Sequence, residues 1–305
     1  MGLGTFIQDL LSPIMESISP LLPGEIFPVF FFEMGIGQRA FISAILVTIV
    51  SGFLGSFLLI RNLALMGDGL AHVSFGGVAV GVVLGAASPL WYALVFSVVA
   101  AIIIHELQTR ELLTGDASIA IFLTGMLALG LVILRLYGGG ITTDIEGYLF
   151  GNLLLIDDVS LDLIAYISIF SLLILIVMKP LLLATTIDPL AARVQGLPVR
   201  AIGLLFSLIT AAVVVSMVQV VGTLLVTALL VTPAATGQLV GRSFRSCLIW
   251  TQFFGLVTVL LGLYLSAELG SGSGSMIALV AAMVFASVAI FQGFRRLAKP
   301  EENLN

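Results

Sequence analysis

Apolar residues occur along this chain in long runs that short polar segments separate. An α-helix needs about 20 apolar residues to cross a lipid bilayer, and about nine runs approach that length. The pattern therefore predicts an all-α, polytopic membrane protein with about nine transmembrane helices, eight and ten being the alternatives. The predicted spans are 40–60, 64–85, 90–107, 118–136, 161–183, 201–220, 222–240, 247–267 and 276–292.

Composition indicates the same class of protein. The chain is 60% hydrophobic and only 10% charged over 305 residues, and its mean hydropathy of +1.22 exceeds what soluble domains of this length sustain. The single cysteine, Cys247, excludes an internal disulfide and a cysteine-rich metal site. The 12 lysines and arginines lie between apolar runs, so they form no basic patch for nucleic acid and instead report membrane topology.

Basic residues recur after every second predicted span, which the positive-inside rule places in the cytoplasm. The opposite side would carry acidic segments near residues 144–158 and at Glu268. We therefore expect an extracytoplasmic or interfacial N-terminal segment at 1–36, a transmembrane domain at 37–294 and a cytoplasmic tail at 295–305. The basic residues that set this orientation are Arg61, Arg110, Lys179, Arg193, Arg200, Arg242, Arg245, Arg295, Arg296 and Lys299.

Two ionisable residues lie inside the second apolar run. Asp68 and His72 have the i, i+4 spacing that places both side chains on one face of a helix. A carboxylate oxygen and an imidazole nitrogen together suit a divalent ion such as zinc or manganese, and ionisable groups within a membrane usually mark an ion or substrate path. The pair therefore predicts a metal site, the alternative being a structural pair that hydrogen-bonds neighbouring helices.

A short segment after the fifth span carries the signals of a surface helix. Asp188 is suited to cap its start and Pro189 to occupy its first turn, whereas Gly196, with a proline two residues later, is a stop signal. The residues alone leave two interpretations open, a connector on the lipid headgroups or a docking element for a partner protein. Its predicted apolar face consists of Leu190, Val194 and Leu197.

Four sequence blocks, taken together, are informative about the family of this chain. They are RNLALMGDGLAH at 61–72, DIEGYLFGN at 144–152, DPLAARVQGLP at 188–198 and VGTLLVTALLVTPAAT at 221–236. In this order they resemble the zinc/manganese permease family of bacterial and archaeal ABC importers, and the resemblance covers about residues 32 to 294. One departure is the glycine- and serine-rich stretch at 266–275, where the family commonly has a proline-containing turn.

The resemblance implies a type II-like ABC importer permease in the plasma membrane of a bacterium or archaeon. It would work as a homodimer with two cytoplasmic ABC ATPase subunits and an extracellular metal-binding solute-binding protein. Because the chain has no Gly-x-x-x-x-Gly-Lys-Ser/Thr motif, ATP hydrolysis is expected from the partner. The chain itself is therefore expected to be a transport subunit, with no enzymatic activity of its own and no permanently bound cofactor.

The same resemblance implies roles for individual residues. Asp68 and His72 match the family's metal-binding Asp-x-x-x-His, and the surface helix matches its coupling helix to the ATPase. Pro233, inside the seventh run, is expected to kink that span, a gate hinge being the alternative. The residues of the expected coupling helix are Asp188, Pro189, Leu190, Val194, Gly196 and Leu197.

Other functions stay open at the level of sequence. An ABC permease for a metal chelate and a secondary metal transporter are both compatible with these spans. An intramembrane zinc protease would need three protein ligands, typically with His-Glu-x-x-His, but the chain has only His72 and His105, in separate runs. One nitrogen and one oxygen ligand do not separate zinc from manganese, although the local form of the motif is slightly closer to that of zinc permeases.

Overall fold

The protein, seen in a computed structural model, is a bundle of α-helices; the structure describes residues 2–86, 88–138 and 143–297. No β-strand occurs in those ranges. Short 3₁₀ turns lie at Ser19–Leu21 and Leu153–Leu155, and a π-helical turn at Val29–Glu33. The α-helices are α1 (Leu3–Ile18), α2 (Gly35–Ile60), α3 (Leu65–Val83), α4 (Pro89–Thr109), α5 (Gly115–Tyr137), α6 (Thr143–Phe150), α7 (Asp158–Ile187), α8 (Pro189–Val194), α9 (Val199–Val221), α10 (Val226–Leu230), α11 (Thr232–Val240), α12 (Phe244–Leu269) and α13 (Ser273–Leu297).

Eight of the described helices are long and apolar enough to cross a membrane. They are α2, α3, α4, α5, α7, α9, α12 and α13, with 19 to 30 residues each. At 1.5 Å per residue they are about 28 to 45 Å long, which matches a hydrocarbon core of about 30 Å. The predicted all-α polytopic membrane class is therefore confirmed.

The seventh apolar run, which is predicted to be one span kinked at Pro233, forms the two short helices α10 and α11. Gly222, with φ of +81°, ends α9 and turns the chain. Pro233 is the second residue of α11 and has no N–H to donate to the carbonyl of Leu229 one turn earlier. A Cβ added to Gly55 of α2 would overlap the carbonyl oxygen of Leu230, so the break between α10 and α11 packs tightly against α2.

Contacts between helix termini define one end of the bundle, which we call the Glu268 end. The Glu268 carboxylate accepts backbone N–H hydrogen bonds from Ile26 at 3.0 Å and Phe27 at 2.9 Å. The N–H of Thr223 donates to the carbonyl of Tyr148 at 2.9 Å. The segment before α2, the region around α6, the end of α9 and the end of α12 therefore meet at this end.

The opposite end, which we call the Arg61 end, joins other termini. The Arg61 guanidinium lies 3.4 Å from the hydroxyl of Thr185 near the end of α7 and 4.7 Å from the ring centroid of Phe206 in α9. The rings of Phe57 and Phe244, near the end of α2 and at the start of α12, have centroids 5.0 Å apart. Successive long helices thus run in opposite directions between the two ends.

The broken segment also connects the two ends. It follows Thr223 at the Glu268 end, and it finishes at Gly241, which packs against Cys247 in the first turns of α12. The described chain therefore has eight candidate spans, within the predicted range of eight to ten, and a shorter broken segment, α10 and α11, that leads from one end of the bundle to the other. Among the topology markers, the side chains of Asp144 and Arg296 and all of residues 298–305, including Lys299, lie outside the described residues.

α3 is the most enclosed of the eight long helices. Within its most apolar window 78% of the residues are buried, against 22% for α5 and for α13. α3 packs chiefly on α4, α5 and α9, and its buried apolar residues belong largely to the main core of the bundle. A polar group on α3 is consequently enclosed by protein, whereas α5 and α13 expose apolar surface at the perimeter.

Candidate functional site

α3 brings Asp68 and His72 together one turn apart, near the Arg61 end. The distance from His72 Nε2 to Asp68 Oδ1 is 3.9 Å, which is too long for a hydrogen bond. His72 Nδ1 is buried and has no hydrogen-bond partner among the described residues. The Asp68 side chain is 27% exposed and that of His72 only 7%. The imidazole thus lies deep in the protein, and the carboxylate borders its more open side.

Two glycines allow other helices to approach Asp68 closely. A Cβ at Gly67 would overlap the side chain of Leu230 in α10, and a Cβ at Gly69 would overlap that of Ile119 in α5. Helix termini and broken helices in membranes expose backbone groups only where protein or water surrounds them. The broken α10–α11 segment therefore packs directly against the turn of α3 that carries the carboxylate.

The pair offers one oxygen and one nitrogen ligand. A buried nitrogen with no hydrogen-bond partner costs about 1–3 kcal/mol, and a metal ion is one way to satisfy it. Within the described residues no group of three or more His, Cys, Asp or Glu is placed to hold a metal ion. Zinc sites typically take about four ligands. If the pair binds a metal ion, one copy of the chain would supply two of its ligands, and the others would have to come from a second copy, backbone oxygens or water.

The predicted surface helix forms as α8 at the Arg61 end. Asp188 Oδ1 accepts the backbone N–H groups of Leu190 at 3.0 Å and Ala191 at 2.9 Å, which satisfies the first turn of the helix. The side chains of Leu190 and Val194 are 71% and 83% exposed. α8 therefore presents an uncovered apolar pair at this end of the molecule.

Leu197 departs from the predicted apolar face. Gly196 adopts φ of +82°, a left-handed conformation that glycine tolerates best and that ends the helical turn after α8. Leu197 follows that turn and packs against the hydrophobic core. Of the three residues of the predicted apolar face, Leu190 and Val194 are therefore the exposed ones.

The sequence analysis did not single out an ion network beside α8. The Glu106 carboxylate accepts hydrogen bonds from Arg110 Nε and Arg200 Nη2, both at 2.6 Å. The i, i+4 spacing of Glu106 and Arg110 is a signal that the sequence offers. Arg200 lies 94 residues from Glu106, so that contact depends on the fold. The network ties the end of α4 to the start of α9, directly after α8.

A polar cavity of about 370 Å³ opens at the same end, between α8 and the ends of α2, α4 and α7. Burial lowers the pKa of the Arg61 guanidinium from its ordinary value, but an arginine remains charged at neutral pH. Thr109, Thr185 and Ser207 supply hydroxyl groups, and no carboxylate is among the described residues that line the cavity. The Arg61 end is consequently positive and polar beneath α8.

The Glu268 end carries a larger, more apolar cavity of about 520 Å³. The segment before α2 contributes Phe30 and Phe31, and the region around α6 contributes Glu146 and Asn152. The glycine- and serine-rich turn between α12 and α13 closes the third side. The stretch that departs from the family pattern thus helps to form the mouth of the bundle at this end.

A described bundle with eight helices long and apolar enough to cross a membrane is that of an integral membrane protein. The sequence profile of the ABC 3 transport family matches residues 34–292. The chain belongs to that family, as its four sequence blocks predict, and is a membrane permease of an ABC transporter.

Similar proteins that align with this chain over most of their length support the family assignment. The chain is 34% identical over 267 residues to the manganese transport system membrane protein MntC of Halalkalibacterium halodurans, covering 86% of this chain and 90% of that protein. It is 32% identical over 248 residues to the manganese import system permease protein ScaB of Streptococcus gordonii, covering 81% and 88%. The structure of PsaBC from Streptococcus pneumoniae in complex with Fab superposes with a TM-score of 0.78 at 32% identity, covering 90% of this chain and 99% of that one.

Proposed function

We propose that this chain is the permease through which an ABC importer moves a divalent transition metal ion, with manganese as the principal cargo and zinc as the second candidate. The observation that carries the proposal is the enclosed Asp68 and His72 pair on α3, with 3.9 Å between Asp68 Oδ1 and His72 Nε2. A carboxylate and an imidazole this close together inside a membrane protein suit a divalent ion. Manganese is favoured over zinc because the similar proteins MntC and ScaB are named as manganese transport proteins.

A homodimer would complete the coordination shell. Two copies that face each other at Asp68 and His72 would supply two carboxylates and two imidazoles to one ion. The carboxylates would offset the cost of holding a dehydrated cation in a low-dielectric interior. Each imidazole must be neutral to bind a metal, so acidification of the site would oppose transport.

Partner proteins would supply energy and cargo. A pair of cytoplasmic ABC ATPases would dock on α8, where the exposed Leu190 and Val194 and the adjoining network of Glu106, Arg110 and Arg200 form the contact surface. An extracellular solute-binding protein would deliver the ion at the Glu268 end. The proposed location is the plasma membrane of a bacterium or archaeon.

Charge supports this orientation. Arg61, Arg110 and Arg200 lie at the Arg61 end, which the positive-inside rule assigns to the cytoplasm. At the opposite end Arg39 is neutralised by Asp158, with 2.7 Å between Nη1 and Oδ1. Residues 1–36 would then be extracytoplasmic or interfacial, 37–294 the permease domain, and 295–305 a cytoplasmic tail.

The proposed metal site can be tested with substitutions that remove the ligand atom of Asp68 or His72 but keep a side chain of similar shape. Asp68→Asn loses the negative charge, and His72→Phe keeps an aromatic ring but has no ring nitrogen, so both variants should abolish manganese uptake in cells that express the complete transporter. Ser74→Ala is the matched control, because Ser74 is buried two residues further along α3 and its Oγ also has no described partner. We expect near-normal uptake in that control at equal membrane abundance.

Two outcomes would reject parts of the proposal. Unchanged manganese and zinc uptake in both ligand variants would exclude Asp68 and His72 as the metal site. Uptake that persists when the P-loop lysine of the partner ATPase is replaced would indicate a secondary transporter instead.

A further inference from the structure

α1 carries a stripe of large apolar side chains that nothing in the described protein covers. Phe6, Leu10, Ile14 and Ile18 are 56%, 61%, 52% and 38% exposed. Their four-residue spacing aligns them along one face of the helix. With 16 residues, α1 is about 24 Å long, which is too short to span a hydrocarbon core of about 30 Å.

Polar contacts hold α1 against two membrane-spanning helices. The backbone N–H of Thr5 donates to Asp162 Oδ1 at 2.8 Å, and Ser12 Oγ donates to Gln38 Oε1 at 2.6 Å. Asp162 belongs to α7 and Gln38 to α2, so the first turns of α1 touch one spanning helix and its third turn touches the other. α1 therefore lies across the two helices.

The depth of α1 follows from the same contacts. Asp162 is the fifth residue of α7 and Gln38 the fourth residue of α2. The ion pair between Arg39 and Asp158, at 2.7 Å, shows that α2 and α7 begin at the same level. α1 thus runs at the level of the first turns of α2 and α7, near one end of the spanning helices.

The remaining faces of α1 have different surroundings. Gly4 and Met15 are buried against the bundle, whereas Asp9 and Glu16 are exposed. At about 100° per residue, the acidic pair occupies a sector separate from both the buried face and the apolar stripe. One side of α1 therefore faces the protein, a second side is polar and suited to water, and a third side is apolar. Amphipathic helices at a membrane interface have the same arrangement of polar and apolar sides.

We propose that α1 is an interfacial anchor whose Phe6, Leu10, Ile14 and Ile18 insert into the lipid leaflet at the Glu268 end. Lipid is the occupant because the stripe lies at the level of the spans and adjoins α7, whose Val159, Tyr166 and Phe170 are exposed at the perimeter. α1 precedes residues 34–292, which match the family, so this inference is independent of the metal site.

Site-specific quenching tests the anchor. In a Cys247→Ser background, Leu10→Cys and Glu16→Cys are each labelled with bimane, and the full chain is placed in nanodiscs with lipids brominated near the headgroup. The label at position 10 should lose most of its fluorescence, while the label at position 16 should keep it and be quenched by aqueous iodide. Phe170→Cys serves as the lipid-facing reference, and Ile14→Cys repeats the test on the stripe.

Three results would overturn the anchor. Equal quenching of positions 10 and 16 by iodide would place the stripe in water. A disulfide between two copies through Leu10→Cys would make the stripe a contact between protomers. Protection of position 10 from bromolipid by an added solute-binding protein would make it a protein-docking face.

Discussion

At the scale of single residues, two glycines beside Asp68 affect how closely the helices pack around the carboxylate. Gly67 and Gly69 flank Asp68, and their lack of a Cβ allows α10 and α5 to reach the turn of α3 that carries the carboxylate. The Asp68 and His72 pair could be proposed from the sequence because its i, i+4 spacing is local. The pairing of Gly69 with Ile119 could not, because it depends on how α3 and α5 pack.

Gly69→Ala should therefore destabilise the protein, because its Cβ would overlap Ile119. We expect a loss of about 1–3 kcal/mol from overpacking, measured as a lower thermal unfolding temperature in detergent. Gly125→Ala in α5 is the matched control, since no atom lies within 4 Å of the added Cβ and alanine favours a helix over glycine. Equal unfolding temperatures for the two variants would contradict the close approach.

At the scale of elements, local sequence signals predict where α8 begins and ends, but they do not predict where packing breaks a longer helix. The Asp188 cap and the glycine stop predict a short helix, and α8 forms between them. The seventh hydrophobic run predicts one span kinked at Pro233. The chain instead forms two short helices, α10 and α11, because Pro233 cannot donate a backbone hydrogen bond and Gly55 offers room for the break.

The proposed docking role of α8 predicts that the ATPase is lost when the apolar pair on α8 is replaced. Replacing both Leu190 and Val194 by aspartate should reduce co-purification of the ATPase and uncouple transport, because a short helix contributes few apolar anchors to an interface. Leu21→Asp, an exposed leucine before α2, is the control and should leave the ATPase bound. Wild-type recovery of the ATPase with the double variant would exclude this surface.

At the scale of the whole molecule, the orientation in the membrane decides from which side an ion would reach the proposed metal site. The Arg61 end collects the basic loops, whereas the Glu268 end joins the segment before α2 to the turns after α6, α9 and α12. If the Arg61 end is cytoplasmic, Asp68 lies nearer to the exit of an importer than to its entrance.

Two exposed leucines at opposite ends make the orientation measurable. Leu112, between α4 and α5, is 64% exposed, and Leu154, before α7, is 62% exposed. In a Cys247→Ser background, an impermeant maleimide should label Leu154→Cys in intact cells, but Leu112→Cys only after the membrane is opened. The reverse pattern would place α8 outside the cell and remove the basis for ATPase docking there.

The sequence by itself determined the membrane class, the approximate spans, the cap of α8 and the nearness of Asp68 to His72. Each of these depends on hydropathy or on interactions within about one turn of helix. Only the tertiary structure decided the contacts of Arg39 with Asp158, Arg200 with Glu106 and Glu268 with Phe27, which join residues 119, 94 and 241 positions apart. Local patterns carry no information on such pairs, because whether two distant side chains meet depends on how the helices between them pack.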